Sequence, residues 1–291
     1  MNFKLSVPLV LFTFILLIFS SGCVDFGGTL GLLGLTPTGP NYTVSENILV
    51  SSEVYPREVY EGKNTVLYFS LSNDGNITIS DFNLEFTDLC EFEDKELKKT
   101  IDEIEPGEYE EWSWEITAKE SDVIRDCSLR YDVSYESSSR ATYDIAAISE
   151  NEQQRLLKEG KMEEIDLNYF RTKSPVEIDI SLSKEQPILE GSSFYLYIDL
   201  TNVGSGYLEK INKGEASIEY PRFLELESCD DYDSNGNLKR DLDFISGRTK
   251  RSTCKFKVRE GTVIRDIGRF EVQINYKYMY HKTINVRIKP D

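Results

Sequence analysis

The sequence predicts an all-β protein made of two tandem β-sandwiches joined by a short helical linker. The first observation is a repeat: SDVIRDCSLRYDVSY, which begins at Ser121, returns as GTVIRDIGRFEVQINY, which begins at Gly261, 140 positions later. The second is that both copies contain runs in which apolar and polar residues alternate, as in strands with one buried face. The third is the abundance of Tyr and Phe, with 17 and 15 residues, because aromatic side chains favour strands.

Further matches show how far the duplication extends. Cys90 parallels Cys229 at an offset of 139, and YEGKNTVLYFSLSNDG, from Tyr60, parallels LEGSSFYLYIDLTNVG, from Leu189, at an offset of 129. The second copy therefore carries ten additional residues, the difference between the two offsets, after Asn202 in GSGYLEKINKG. A period of about 100 to 115 residues is too long for a solenoid unit, so it indicates a duplicated domain.

Each copy is predicted to form an immunoglobulin-like β-sandwich, the first at residues 48–149 and the second at 174–291. Each contains about seven short alternating runs, which is the strand number of that sandwich, separated by turn signals rich in Asn and Gly. In NDGN and NVGSG, Asn and Gly stand where a turn needs a positive φ angle.

The recurring Val-Ile-Arg-Asp is interpreted as the same structural corner in both copies. Its apolar pair is expected to end a connection that leads into the next strand: Val123 with Ile124, and Val263 with Ile264. Its charged pair is expected to form a turn or an ion pair: Arg125 with Asp126, and Arg265 with Asp266. A duplicated binding site is the alternative interpretation.

Residues 150–173, between the copies, are predicted to be a helical linker. Ser149 is a candidate N-cap with Glu152 three residues later, which is a capping box, and Gly160 is a stop signal. Its apolar residues Leu156 and Leu157 are expected to pack on one domain edge. A helix that docks a partner protein is the alternative.

The N-terminus predicts secretion and attachment to the membrane. MNFK is followed by the apolar run LSVPLVLFTFILLIFS and then SGC, so residues 1–22 are predicted to be a signal peptide. The small residues before Cys23 resemble a lipobox, although Ser20 stands where the bacterial pattern prefers Leu, and they predict lipid attachment at Cys23. An uncleaved anchor helix from about Leu5 to Ser21 is the alternative.

Residues 23–47, rich in Gly, Thr and Pro, are predicted to be a tether that holds the folded part close to the extracellular face of the membrane. With Cys23 set aside, two cysteines remain in each half, and in a secreted protein this predicts one disulfide per domain. The expected pairs are Cys90 with Cys127 and Cys229 with Cys254. Four free buried thiols are the alternative.

Charge and composition narrow the function classes. The net charge of −18, without a cluster of Lys and Arg, disfavours nucleic acid as a partner. The single histidine, His281, aligns with Arg140 and is expected at the surface, and the sequence marks no nucleophile for it to assist. A pair of catalytic carboxylates among the 51 acidic residues is left open, because spacing alone cannot select one. The expectation is a non-enzymatic protein.

The stretch DDYDSNGN is a candidate calcium loop, the one cofactor site that the sequence suggests. Gly236 permits a sharp turn, but Leu242 stands where an EF-hand has its bidentate Glu. A polar turn between strands is the alternative. The candidate ligands are Asp231, Asp233, Asn235 and Asn237. The sequons NYT at Asn41 and NIT at Asn76 are candidate glycosylation sites.

The copies follow one pattern: Glu-Gly, an alternating strand and Asn-x-Gly, with a later Pro-Gly turn before an aromatic strand. It resembles the CARDB-type and related immunoglobulin-like modules of archaeal and bacterial surface proteins, over most of 48–149 and 174–291. The second copy departs from the pattern with Ser246 where the first has Pro106. The resemblance implies adhesion or scaffolding at the cell surface, with a protein or glycan partner and no catalytic residues.

Two alternatives are a structural subunit of a larger envelope assembly and a carboxylate-dependent glycan-processing enzyme. The insertion at Gly204–Gly214 and the acidic loop at Asp230–Asn237 are the first candidate sites for partners, because loops at the ends of sandwiches recruit them.

Overall fold

The computed structural model describes residues 47–291 except 94–95, 162–166, 209, 245–248 and 262. The described residues belong to one compact unit that is mostly β-structure. The elements, in chain order, are β1 (Ile48–Tyr55), β2 (Glu58–Tyr60), β3 (Asn64–Asn73), β4 (Ile79–Asp88), β5 (Lys98–Ile104), β6 (Tyr109–Thr117), β7 (Arg125–Ile148), α1 (Glu150–Glu159), β8 (Tyr169–Arg171), β9 (Val176–Leu182), β10 (Ile188–Leu189), β11 (Ser193–Asn202), β12 (Lys210–Ile211), β13 (Ala216–Glu219), β14 (Leu224–Cys229), β15 (Leu242–Asp243), β16 (Lys250–Val258) and β17 (Arg265–Lys289).

The strands form four sheets, which confirms the all-β prediction. The largest has eight strands in the order β13-β17-β7-β4-β5, with β2 on β17 and with β8 and β10 on β7. We call it the long sheet. A three-stranded sheet has the order β1-β3-β6, a four-stranded sheet has the order β14-β16-β11-β9, and β12 pairs with β15.

The centre of the long sheet is an antiparallel ladder between β7 and β17. Arg265 lies opposite Ile148 at one end and Ile288 lies opposite Arg125 at the other. Near the middle, Tyr276 faces Ser137 and Lys277 faces Glu136. The counterparts of Glu136 and Ser137 in the second copy, 140 positions later, are Tyr276 and Lys277. The repeat therefore maps one of these pairs onto the other, and the ladder has a local twofold axis between them.

This register joins the two copies in one sheet. The second part of β17 lies beside the first part of β7, where β4 also pairs, and the second part of β7 lies beside the first part of β17, where β13 pairs. Each long strand therefore extends, in its second part, into the part of the sheet that belongs to the other copy. The boundaries 48–149 and 174–291 remain predictions.

The three-stranded and four-stranded sheets cover the same face of the long sheet, and the hydrophobic core lies between them and that face. Odd-numbered residues are buried along 127–141 of β7, and even-numbered residues apart from Lys282 are buried along 270–288 of β17, as the alternation predicts. Along 142–148 of β7 both faces are mostly buried. At one end Phe69 of β3 packs on Tyr131 of β7, with ring centroids 5.4 Å apart. At the other end Phe256 of β16 packs on Phe270 of β17, with centroids 5.1 Å apart.

Helix α1 begins and ends where the sequence predicts. The Ser149 side chain accepts a hydrogen bond from the Glu152 N–H at 3.3 Å, and Gly160 ends the helix with a φ angle of 64°. The Glu152 carboxylate pairs with Arg155 at 2.8 Å. Leu156 is buried, whereas Leu157 is exposed. In the described part of the chain, no helix reaches the length and apolar character that a membrane crossing requires.

Both predicted disulfides are present. Cys90 is bonded to Cys127, at the start of β7, and Cys229 of β14 is bonded to Cys254 of β16 on the adjacent strand. At the repeat offset of 140, Cys127 aligns with Ile267 and Cys254 aligns with Trp114, so the two bridges occupy different places in the two copies.

The Val-Ile-Arg-Asp motif immediately precedes and begins the two long strands. Arg125 and Arg265 are the first residues of β7 and β17. Ion pairs form at the first corner, although with distant partners: Arg125 lies 2.8 Å from Glu91, and Asp126 lies 2.7 Å from Arg287. Of the apolar residues only Val263 is buried, whereas three are exposed: Val123, Ile124 and Ile264.

Candidate binding groove

A groove of about 570 Å³ lies on the outer face of the long sheet, at the twofold centre of the β7–β17 ladder. Its floor is made of residues that alternate with the buried ones. Glu136 and Ser138 come from β7, and Asn275 and Lys277 come from β17. Glu136 lies opposite Lys277 and Ser138 lies opposite Asn275, so opposite charges and two uncharged polar groups face each other across the ladder.

The first wall of the groove is built by the turn that follows β3. The buried Asn73 donates from its side-chain amide to the carbonyls of Ile77 and Ile104, both at 2.9 Å, and this holds the turn in place. Thr78 and Ser80 then line the groove, and the Thr78 hydroxyl donates to Glu105 at 2.8 Å.

The second wall is built by the insertion that follows the equivalent turn after β11. Asn202, the counterpart of Asn73, donates to the Gly206 carbonyl at 3.0 Å. Tyr207 then exchanges two backbone hydrogen bonds with Met279 of β17, at 2.7 and 3.0 Å, so the insertion is fixed against the long sheet. A Cβ at Gly206 would lie 2.3 Å from the Met279 carbonyl oxygen, and therefore this approach requires glycine.

Three polar residues of this second wall line the groove: Lys210, Asn212 and Glu215. Asp241 holds the wall by accepting from the Lys213 N–H at 2.9 Å and from the Lys210 ammonium at 3.1 Å. These bonds, the backbone one first, lower the pKa of Asp241. Since Asn212 donates to Glu215 at 2.8 Å, the wall offers ordered charged and amide groups to a ligand.

The candidate calcium loop forms a closed polar turn. The buried Asp231 carboxylate accepts from Arg240 at 2.7 Å and from the Ser252 hydroxyl at 2.7 Å. Burial acts to raise the pKa of Asp231, but the hydrogen bonds from Ser252 and Arg240 outweigh it, so the pKa is lowered. The carboxylate is therefore held as an ion by groups of the chain itself.

The next residues of this loop use their oxygens inside the turn. One carboxylate oxygen of Asp233 accepts from the N–H groups of Asn235 and Asn237, both at 2.9 Å, and the Asn237 carbonyl accepts from the Asp233 N–H at 2.8 Å. Among the described residues no group of three His, Cys, Asp or Glu side chains could hold a metal ion. This geometry favours the polar turn, and calcium binding stays a prediction for calorimetric titration at millimolar calcium.

The other predicted site residues lie apart from the groove or outside the described residues. Cys23 and Asn41 fall outside them. Asn76 is exposed in the turn of the first wall, where the sequon prediction needs it. His281 is exposed on β17, opposite Asp132, as expected for a surface residue.

Sequence reasoning identified the insertion but missed the groove. Its floor depends on the pairing of β7 with β17, which local patterns do not reveal. The constant offset of 140 between the two motifs that begin these strands does not reveal this pairing, because any antiparallel pairing of equivalent strands has a local twofold axis.

No family model and no curated protein matches the chain. Among solved structures, elastase-activated alpha-2-macroglobulin of Escherichia coli is similar at 10% identity, with a TM-score of 0.23 over 84% of this chain and 33% of the macroglobulin chain. The collagen adhesin of S. aureus is similar at 10% identity, with a TM-score of 0.13 over 84% of this chain and 93% of the adhesin chain. TM-scores this low establish neither a shared fold nor a shared function.

Proposed function

We propose that this protein is a non-enzymatic binding or scaffolding element of the cell surface, and that the central groove binds a hydroxyl-rich ligand such as a glycan segment. The observation that carries the proposal is the lining of the groove. Donors and acceptors converge from both copies on one open surface, including hydroxyls, amides, two lysines and two glutamates. A polyhydroxylated chain satisfies such a mixture, because each hydroxyl both donates and accepts.

The surface location rests on the sequence and on the disulfides. Two disulfides in one chain are typical of an oxidising, extracellular environment. We infer that residues 1–22 direct secretion. Either a lipid on Cys23 or an uncleaved helix then keeps the protein at the membrane. Two tandem immunoglobulin-like sandwiches fit the arrangement in which separate small sheets cover the two ends of the long sheet.

Two buried carboxylates are structural ions and not candidate acids for glycan cleavage. A glycosidase acid needs a raised pKa so that it can donate a proton. Two deeply buried carboxylates, Asp144 and Asp231, both have a lowered pKa and are paired with Arg269 and Arg240. Neither lines the groove, so both are assigned a structural role.

The test is a screen of the purified full chain on an array of surface polysaccharide fragments, followed by calorimetry with the fragment that binds. The double variant Asn275→Ala and Lys277→Ala removes two floor groups and is expected to weaken binding by about tenfold or more, since each lost hydrogen bond costs roughly 0.5 to 1.5 kcal/mol. Thr283→Ala, on the same face of β17 but outside the groove, is the control. Binding that the double variant leaves unchanged would place the ligand elsewhere, and an array without any ligand would remove the glycan proposal.

A further inference from the structure

Strand β6 leaves one edge of the three-stranded sheet open. It pairs with β3 on one side, and along Tyr109–Ile116 no strand of the described part pairs with its other side. Only its end is closed: the Thr117 carbonyl accepts from the Glu93 N–H at 3.0 Å, and Phe92 bridges Ala118. An edge of this length can accept a further strand.

The ladder with β3 determines which backbone groups face this open side. The Glu108 carbonyl accepts from Asn73, and the Ala118 N–H donates to Lys63, so even-numbered residues bond toward β3. Antiparallel ladders alternate, and therefore the backbone groups of Tyr109, Glu111 and Ser113 point away from β3.

The second copy shows a strand in the equivalent place. Strand β16 corresponds to β6 at the offset of 140, and β14 pairs antiparallel along its outer edge, with Leu226 opposite Phe256. The Thr253 carbonyl, the counterpart of that of Ser113, accepts from the Asp230 N–H at 3.1 Å. In the first copy the corresponding stretch of chain stays in the long sheet as β4, between β7 and β5. The position beside β16 is therefore filled by β14, whereas the equivalent position beside β6 is open among the described residues.

Side-chain burial reflects the difference. On β16 the inward-facing Ser252 and Cys254 are fully buried. Their counterparts on β6, Trp112 and Trp114, are only half-buried, although both pack against Phe69 with centroids 5.6 and 5.2 Å away. A strand laid along β6 would cover the remaining indole surface.

Charge indicates the chemistry of that strand. On β16, Lys255 faces outward and pairs at 2.8 Å with Glu227 of β14, and Arg251 faces outward nearby. The counterparts on β6 are acidic, Glu115 and Glu111. A strand complementary to β6 therefore carries Lys or Arg where β14 carries Glu. Residues 24–46 of the chain contain neither Lys nor Arg, so they lack this complementarity.

We propose that the outer edge of β6 binds an extended segment of a partner protein, which adds to the sheet as an antiparallel strand. Alternate apolar side chains of the segment cover Trp112 and Trp114, and the Lys or Arg residues between them lie beside Glu111 on the outward face. Main-chain hydrogen bonds supply affinity and the alternating side chains supply specificity, as in other cases of strand addition.

The probes are two synthetic peptides that correspond to β14 and its flanks, residues 220–229. One has the native sequence with serine for the cysteine, YPRFLELESS, and the other has lysine in place of both central glutamates, YPRFLKLKSS. Trp112 and Trp114 are the two tryptophans of the chain, so its intrinsic fluorescence reports directly on this edge. When Leu224 and Leu226 of the peptide cover Trp114 and Trp112, four residues along from the register of β14 on β16, the second lysine lies opposite Glu111 and the first lies opposite Ser113. We expect the lysine peptide to shift the emission of the full chain to the blue and to bind about three- to tenfold more tightly than the glutamate peptide, because the cross-strand pair with Glu111 changes from repulsion to attraction.

Two variants separate strand addition from general attraction. Ser113→Pro removes an outward N–H without breaking the ladder to β3, and it is expected to abolish the shift. Glu111→Lys is expected to reduce or reverse the preference between the two peptides, whereas Glu219→Lys, at an exposed position of β13 in the second copy, leaves it unchanged. Equal binding of both peptides, or binding that Ser113→Pro leaves intact, overturns the proposal. So does tryptophan emission that is already blue and protected from iodide without peptide, since the edge is then covered by the chain itself or by a second copy.

Discussion

Replacing Asp231 with alanine is expected to lower the free energy of unfolding by about 2 to 4 kcal/mol. The carboxylate is only 2% exposed and accepts two hydrogen bonds from Arg240 and one from the fully buried Ser252. In the variant the Ser252 hydroxyl loses its partner inside the core, which accounts for roughly 1 to 3 kcal/mol. The loss of the bonds from Arg240 costs less free energy, because its side chain is 62% exposed and its guanidinium can hydrogen-bond to water instead.

The lowered pKa of Asp231 adds a dependence on pH that the assay can isolate. Since the folded-state pKa lies below the ordinary value of 3.8, the stabilisation is fully present above that value and is lost as the pH falls through the folded-state pKa. Urea unfolding, followed by circular dichroism, should therefore show a wild-type advantage over Asp231→Asn that is constant near neutral pH and shrinks in acid. Asp230→Asn, at the exposed neighbouring position, is the control and should change stability by less than about 0.5 kcal/mol.

A loss below about 1 kcal/mol for Asp231→Ala, or an Asp231→Asn difference that does not change with pH, would refute the assignment of this carboxylate as a buried structural ion. Either result would instead favour calcium binding by the loop, because the carboxylate would then be accessible to another partner.

Two further predictions concern the turn at Gly236 and the disulfide between Cys90 and Cys127. Gly236→Ala is expected to lower the melting temperature far more than Gly62→Ala: both have a positive φ, but a Cβ at Gly236 would lie 2.1 Å from the Ile218 carbonyl oxygen, whereas Gly62 has open space. Similar melting temperatures for the two variants would contradict this packing. Replacing Cys90 and Cys127 together with serine is expected to cost about 4 kcal/mol in urea unfolding, from the sequence separation of 37 residues in the chain-entropy model. Unchanged stability would show that the bridge does not constrain the unfolded chain.

Features of the fold that depend on local sequence could be predicted. Alternation predicts which residues are buried along 127–141 of β7 and 270–288 of β17, although not along 142–148, where both faces are covered. The cap at Ser149 and the stop at Gly160 mark the ends of α1. The cysteine pairs were predictable because each half holds two. The pairing of β7 with β17 was not, since a constant offset between repeats is equally compatible with two separate sandwiches and with one shared sheet.

In the candidate sites, too, local sequence reveals some features and leaves out those that depend on distant parts of the chain. The spacing in DDYDSNGN gives oxygens in the right order for a cation, but it does not reveal that Ser252, on a distant strand, bonds to the Asp231 carboxylate. The groove has no sequence motif, because its floor and walls come from four separate segments of the chain. The exposure of Ile124 and Ile264 likewise follows from the position of the corner at the ends of the long strands.

The twofold register of the β7–β17 ladder has the geometry of an isologous dimer interface, in which one surface patch meets its own copy. A chain with a single copy of the repeat could form the same ladder between two molecules, and duplication within one gene would turn that dimer into a monomer. The ladder also makes either half incomplete by itself. A half expressed separately would expose one side of a long strand of 24 or 25 residues and would be expected to dimerise through it or to aggregate.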